Sequence, residues 1–351
     1  YPAGVASFVA LARVTLGAFV LLLGGGFVGL AAVSRLMNVF QAVWLYGLVR
    51  RRILRPRLES DWSLQRWMLG ESLPLMVNHL LATAFWRVDI LILTAMVGAY
   101  GVGLYSAAYK YIDGLNVLPS YFTLAVFPVM ARLAGGNGGD GRDLARLMRT
   151  YRLSLRLLTM LAIPIAVLVF FAAEPLIIIL GGREYVPGAV VALQILILSI
   201  PIGFMNSLTH YVLIAVGQQR FLTGAFVIGV GFNIVANLLA IPRYGVAGAA
   251  FVTILSEFAL FFPFYYAVRR HLAPLPWFDL LWRQVLAGLL MAATFLLVTP
   301  FSLLLALPLA CAVYGLGLVL TGAHRSDDMA IVYQALPRFR LPFVSGMVRE
   351  R

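Results

Sequence analysis

The stretch YSAAYKYIDGLN, residues 105–116, sets a lysine and an aspartate one helical turn apart inside an apolar run. Lys110 is the sole lysine of the chain; the other 26 basic residues are arginines. An ionisable group at the centre of a bilayer costs about 2.5–3.5 kcal/mol even on the lenient insertion scale, so such groups face a partner or a water-filled cavity. Seven fall inside apolar runs: Arg13, Arg35, Arg87, Asp89, Lys110, Asp113 and Glu257. The cations have the chemistry to bind phosphate. The carboxylates can neutralise them, or take up H⁺ or Na⁺. Residues three or four apart share a helix face. Ser106, Lys110, Asp113 and Ser120 follow that spacing, with Asn116 alongside. Two readings stand: Lys110 and Asp113 neutralise each other as a structural pair, or the stripe lines a hydrated cavity.

Arg87 and Asp89 are two apart and point to different faces, so each needs a partner on another helix. Asn206 with His210, and Asn233 with Asn237, are spaced i, i+4. Amide and imidazole groups at that spacing act as glue between membrane helices. Glu257 stands alone, as a coupling carboxylate or as the partner of a cavity arginine. The single cysteine, Cys311, excludes a disulfide within the chain and any cysteine-based metal site; packing is its expected role.

The elements that carry these groups are membrane spans. The chain is 62% hydrophobic and 12% charged, against roughly half and a quarter in soluble domains, and its mean hydropathy is +0.93. Apolar runs of about 20 residues recur, the length of a helical crossing. The pattern predicts an all-α polytopic bundle of ten spans, with cores at 5–23, 27–48, 73–97, 102–131, 155–180, 189–215, 221–240, 246–268, 280–298 and 301–320. Pro74 is expected to kink the third, and Pro119 and Pro128 the fourth.

Charge sets the expected orientation. Alternate loops hold 21 arginines, and the remaining loops only Arg183 and Arg243. The positive-inside rule makes the arginine-rich side, with both chain ends, cytoplasmic. The net charge of +13 is read as this topology signal and not as a nucleic-acid surface. The outer loops are too short for a catalytic domain, and no G-x-x-x-x-G-K-[S/T] phosphate loop is present. The start at Tyr1 carries no signal-peptide pattern and reads as a cut through a longer protein.

An internal repeat relates the two halves. Residues 26–51 lie without gaps on 245–270, and nine positions match, from Gly26/Gly245 and Gly29/Gly248 to Arg50/Arg269 and Arg51/Arg270. The glycine entry and Val-Arg-Arg exit fall at the same ends of both helices. That predicts two lobes related by an axis along the membrane normal.

Residues 86–133 resemble the polysaccharide-biosynthesis or O-antigen (Wzx-like) flippases of the multidrug/oligosaccharidyl-lipid/polysaccharide exporter superfamily. The resemblance rests on Asp89, then Gly98, Val102, Gly103, Tyr105 and Ala108, then Leu118-Pro119 and Phe127-Pro128-x-x-Ala131-Arg132. Residues 188–201, 213–220 and 233–257 look like the family's following helices. The family pattern is fourteen helices in two six-helix lobes and a final pair. On it, 1–50 is the end of the first lobe, 51–72 a cytoplasmic linker, 73–270 the second lobe, 271–322 the final pair and 323–351 a cytoplasmic tail, with four N-terminal helices missing. The resemblance implies a transporter and not an enzyme, in the bacterial inner membrane. It would flip an undecaprenyl-pyrophosphate-linked oligosaccharide, an O-antigen or exopolysaccharide repeat unit, by alternating access. A lipid II flippase and a multidrug/cation antiporter are the alternatives. The implied cavity residues are Arg13, Arg35, Arg87, Lys110 and Asn116, with Asp89, Asp113 and Glu257 tuning them or coupling to H⁺ or Na⁺. No cofactor, metal or nucleic acid is implied. A polysaccharide polymerase or export machinery is an expected partner beside the lipid-linked cargo and the bilayer.

Overall fold

The computed structural model describes residues 2–52, 60–135, 141–300 and 302–322. The expected tail 323–351 lies outside them. The described residues form helices and no strand: α1 (Pro2–Leu22), α2 (Gly26–Arg52), α3 (Trp62–Leu115), α4 (Val117–Ala134), α5 (Gly141–Phe171), α6 (Ala173–Gly181), α7 (Gly188–Ile197), α8 (Ile200–Ala215), α9 (Gln219–His271), α10 (Trp277–Val298) and α11 (Leu303–Leu320), with a 3₁₀ turn at Arg183–Tyr185.

Six of these helices are long and apolar enough to cross a membrane, or seven if α7 and α8, bent by 47°, make one span. Two of the six are far too long for one crossing. The run Met76–Ala134 has 59 residues and α9 has 53, whereas about 20 suffice. Each long helix folds back at a glycine with a positive φ, Gly98 (φ 79°, ψ −174°) in α3 and Gly245 (φ 54°, ψ −132°) in α9. Arg87 meets Asp113 across the first fold, 26 residues apart in sequence; a straight helix would hold them about 39 Å apart. Asn233 meets Ser256 across the second. With each fold counted as two crossings, the bent pair as one and the short α11 included, the ten expected spans are recovered.

Local chemistry moved several boundaries. α3 begins at Trp62, eleven residues before the expected span, because Asp61 caps it: its Oδ1 accepts from the backbone N–H of Ser63 at 2.9 Å and Leu64 at 3.3 Å. The irregular backbone in α3 is at Gly98, not at Pro74. The fourth expected span breaks at Asn116, three residues before Pro119, whose ring nitrogen cannot bond the carbonyl of Leu115. Pro201, near the start of α8, does the same at the α7–α8 bend.

The chain divides into two compact units, residues 1–69 and 70–351. In the first, α1 and α2 pack through Val5, Val9 and Met37, with Phe8 edge-on to Trp44 at 5.3 Å. In the second, one large core joins α3 to α9. A smaller core holds α10 and α11 against α5, with Phe171 stacked on Phe295 at 5.0 Å and Tyr314 donating to the Met160 carbonyl. Cys311 is exposed on α11 and does not pack as expected.

The repeat has a conformational counterpart. Gly26 and Gly245 both have φ 54°. Three residues on, a Cβ on Gly29 would stand 2.4 Å from Val20, and one on Gly248 2.8 Å from the Ala240 carbonyl. Both pairs of matched glycines therefore do the same work. The first makes a left-handed turn, and the second lets the new helix pass close to the one before it.

Candidate functional site

The fold at Gly98 sets the two arms of α3 side by side. The returning arm presents Tyr105, Tyr109 and Asp113, spaced i, i+4, i+8, to the outgoing one. Tyr105 donates to buried Asp89 and lies 3.1 Å from the Thr253 hydroxyl. Tyr109 donates to the Trp86 carbonyl at 3.3 Å. One Arg87 terminal nitrogen reaches both Asp113 oxygens at 3.3 Å, and its guanidinium sits 5.6 Å from the centre of the Tyr109 ring.

Of the two readings of the stripe, the Lys110–Asp113 pair is not formed: Asp113 pairs with Arg87. The hairpin aims Asp113 across to the neighbouring arm, while Lys110, three residues earlier, points outward. Lys110 is exposed and makes no ion pair among the described residues. Asn116 is half-buried at the α3–α4 break, where its carbonyl accepts from the Ser120 N–H and hydroxyl.

The remaining predicted residues separate by unit and by burial. Arg13 and Arg35 belong to the first unit. Arg13 donates to Asn38 at 2.6 Å, while Arg35 is exposed. Asp89 and Glu257 are buried in the second, at 2% and 1% exposure, with no basic group in salt-bridge range among the described residues. The partner of Glu257 is Asn206, whose amide donates to the carboxylate at 2.7 Å and to the Glu257 backbone carbonyl at 2.9 Å. The Asn237 amide donates to the Asn233 side-chain oxygen, the Asn233 amide donates to the Ser256 hydroxyl, and His210 packs among Tyr211, Phe226 and Phe264. No cluster of metal-ligating side chains occurs among the described residues. Tyr105, Tyr109, Thr253 and Asn206 were absent from the predicted site. The i, i+4, i+8 spacing of Tyr105, Tyr109 and Asp113 was the available signal.

The exposure of Arg87 and Lys110 has a physical consequence. Lys110 stands twelve residues, or about 18 Å, from the fold at Gly98, and Arg87 eleven residues, or about 16 Å, from it on the other arm. An exposed cation at that distance along a span would carry the cost stated above if it rested against acyl chains.

The model of a family described as polysaccharide biosynthesis proteins matches residues 5–190. The chain belongs to that family. The structure is similar to that of lipid II flippase MurJ in an inward closed conformation, with a TM-score of 0.71 and 16% identity, covering 96% of this chain and 68% of that one. The exporter fold expected from the sequence is thus the fold observed, a multi-pass bundle of membrane helices. Two curated relatives match more locally. An uncharacterized membrane protein of Methanocaldococcus jannaschii is 24% identical over 234 residues, 65% of this chain. A probable multidrug resistance protein of Bacillus subtilis is 29% identical over 212 residues, 58% of this chain. The chain spans under half the length of either relative, 45% in each case.

Proposed function

We propose that the protein moves an undecaprenyl-pyrophosphate-linked oligosaccharide, an O-antigen or exopolysaccharide repeat unit, between leaflets of the bacterial inner membrane by alternating access. The observation that carries the reading is the pair of exposed cations, Arg87 and Lys110, on one α3 hairpin, each about 16–18 Å along its arm from the fold at Gly98. A sugar pyrophosphate cannot enter hydrocarbon, so its path must be hydrated and cationic, while the lipid tail stays in the bilayer. Arginine binds phosphate oxygens bidentately. Arg87 and Lys110 hold the pyrophosphate, and Asn116 contacts sugar. Asp89 and Glu257 take up the coupling H⁺ or Na⁺, and Asp113 tunes Arg87.

Two other cargoes fit parts of the site. Lipid II presents the same pyrophosphate, and the likeness to the MurJ fold favours it. A drug cation is favoured by the two buried carboxylates, Asp89 and Glu257, that have no basic partner in salt-bridge range among the described residues. Vesicles holding the full-length protein distinguish the three. Flipping of a lipid-linked oligosaccharide is expected, with Arg87→Ala and Lys110→Ala each lowering it more than tenfold. Normal flipping by both variants would sink the cavity assignment. Efflux of a lipophilic cation, with neither lipid moved, would favour the antiporter.

A further inference from the structure

Arg87 has two neighbours of different kinds. One terminal nitrogen reaches both Asp113 oxygens at 3.3 Å, and the guanidinium lies over the Tyr109 ring, 5.6 Å from its centre. The first contact is a hydrogen-bonded ion pair, and it takes up N–H groups that a phosphate oxygen would also need. The second is the attraction of a cation to the negative face of an aromatic ring, within the roughly 6 Å over which it acts. It does not compete for the donors that Asp113 uses. The two neighbours also differ in how firmly they are held. The Arg87–Asp113 pair is open to water, at 52% and 35% side-chain exposure. Tyr109 is 3% exposed. Its hydroxyl donates at 3.3 Å to the carbonyl of Trp86, the residue before Arg87. Its ring packs 5.5 Å from that of Tyr105, whose own hydroxyl donates to buried Asp89. Two tyrosines of the returning arm therefore bond the outgoing arm on either side of Arg87. A ligand can displace Asp113 from the guanidinium, but it cannot displace Tyr109 without parting the two arms.

We infer that Tyr109 is a positioning residue for Arg87: its ring seats the guanidinium while a ligand's phosphate takes the place of Asp113. The inference rests on the reading of Arg87 as a pyrophosphate ligand. Before binding, the cation is shared between ring and carboxylate. On binding, the carboxylate leaves and the ring stays. The arginine side chain is then already ordered, and the ligand is spared part of the cost of immobilising it. The hydroxyl and the ring of Tyr109 have separate tasks in this arrangement. The hydroxyl ties the two arms together, and the ring holds the cation. Chemistry can remove either one and leave the other.

The test compares two rings at position 109 that both lack the hydroxyl. Tyr109→Phe keeps the negative ring face, whereas pentafluorophenylalanine keeps nearly the same shape and reverses the charge of that face. Farnesyl pyrophosphate is titrated calorimetrically into the detergent-solubilised full-length protein carrying each. The fluorinated ring is expected to bind it roughly two- to fivefold more weakly than Tyr109→Phe, the range of a cation–π contact at a partly open site. In an Arg87→Ala background the two rings should bind alike, because the difference passes through the guanidinium. An equal loss in both backgrounds would make the ring's role structural and overturn the assignment. So would equal or tighter binding by the fluorinated ring with Arg87 present. Arg87→Ala alone should weaken binding about tenfold or more. Unchanged binding there would take Arg87 off the ligand, and would overturn the pyrophosphate reading together with the seat. If the fluorinated protein does not fold, Tyr109→Leu against Tyr109→Phe runs the same cycle, and the same outcomes decide.

Discussion

Arg87 is held by Asp113 in a pair that is half open to water, at 52% and 35% side-chain exposure. Exposed pairs of this kind contribute about 0.2–1 kcal/mol. A carboxylate on the guanidinium occupies the place that a pyrophosphate oxygen would take. Asp113→Asn should therefore leave thermal stability within about 1 kcal/mol of wild type and tighten binding of a prenyl pyrophosphate up to about fivefold. Adding Arg87→Ala should remove the gain. Calorimetric titration of the detergent-solubilised full-length protein measures both, and a weaker affinity in Asp113→Asn would show that the aspartate positions Arg87 for the ligand. The sequence identified the charges but not their pairing. Lys110 and Asp113 are neighbours by helical spacing, whereas Arg87 becomes a neighbour only once the chain has turned back at Gly98. Spacing within one helix carries no information about the arm beside it.

At the scale of the element, glycines decide where helices reverse. Gly245 needs φ 54°, and Gly248 has the Ala240 carbonyl 2.8 Å from where a Cβ would sit. Left-handed backbone costs an L-residue about 1–2 kcal/mol, and a carbonyl in a packed helix cannot give way as a side-chain tip can. Gly245→Ala and Gly248→Ala should each lower the unfolding temperature in detergent. Gly231→Ala, in α9 with open space around it, should hold or raise it, since alanine favours helix over glycine by about 0.5–1 kcal/mol. Equal melting of all three would remove the steric account of the repeat. The start of α3 follows a different rule. The Ser63 hydroxyl, then the N–H groups of Leu64 and Ser63, hold the Asp61 carboxyl below the usual carboxylate range. A lowered folded-state pKa stabilises above the unfolded value, and the effect is lost as pH falls through the folded one. Asp61→Ala should thus speed amide exchange at Ser63 and Leu64 at neutral pH, with the difference from wild type vanishing in acid. Both features were visible as residue types in the sequence. Their roles were not, because an N-cap is known only by the N–H groups it meets, and a Gly-rich loop does not announce which glycine turns.

For the whole molecule, hydropathy and arginine counts made the ten spans legible, because the energy of a buried charge is large and local. The proposed orientation follows from the same counts, and its weakest link is α9. If α9 were one straight helix of 53 residues, Tyr244 would sit mid-helix and the alternation of sides would fail downstream. The Asn233–Ser256 bond and the φ of Gly245 say that it folds back. The chain offers a direct test, since Cys311 is its sole cysteine and Cys311→Ser leaves these 351 residues free of thiols. Single cysteines then replace Glu184, Gln218, Tyr244 and His271, positions separated in order by α7–α8 and by the two arms of α9. A membrane-impermeant maleimide added to intact cells should label Glu184→Cys and Tyr244→Cys. Gln218→Cys and His271→Cys should react only after permeabilisation. The reverse pattern would invert the orientation and the positive-inside argument with it. Labelling of Tyr244→Cys on the side of Gln218→Cys would mean that the first arm of α9 does not cross, and with it the lobe repeat would be lost.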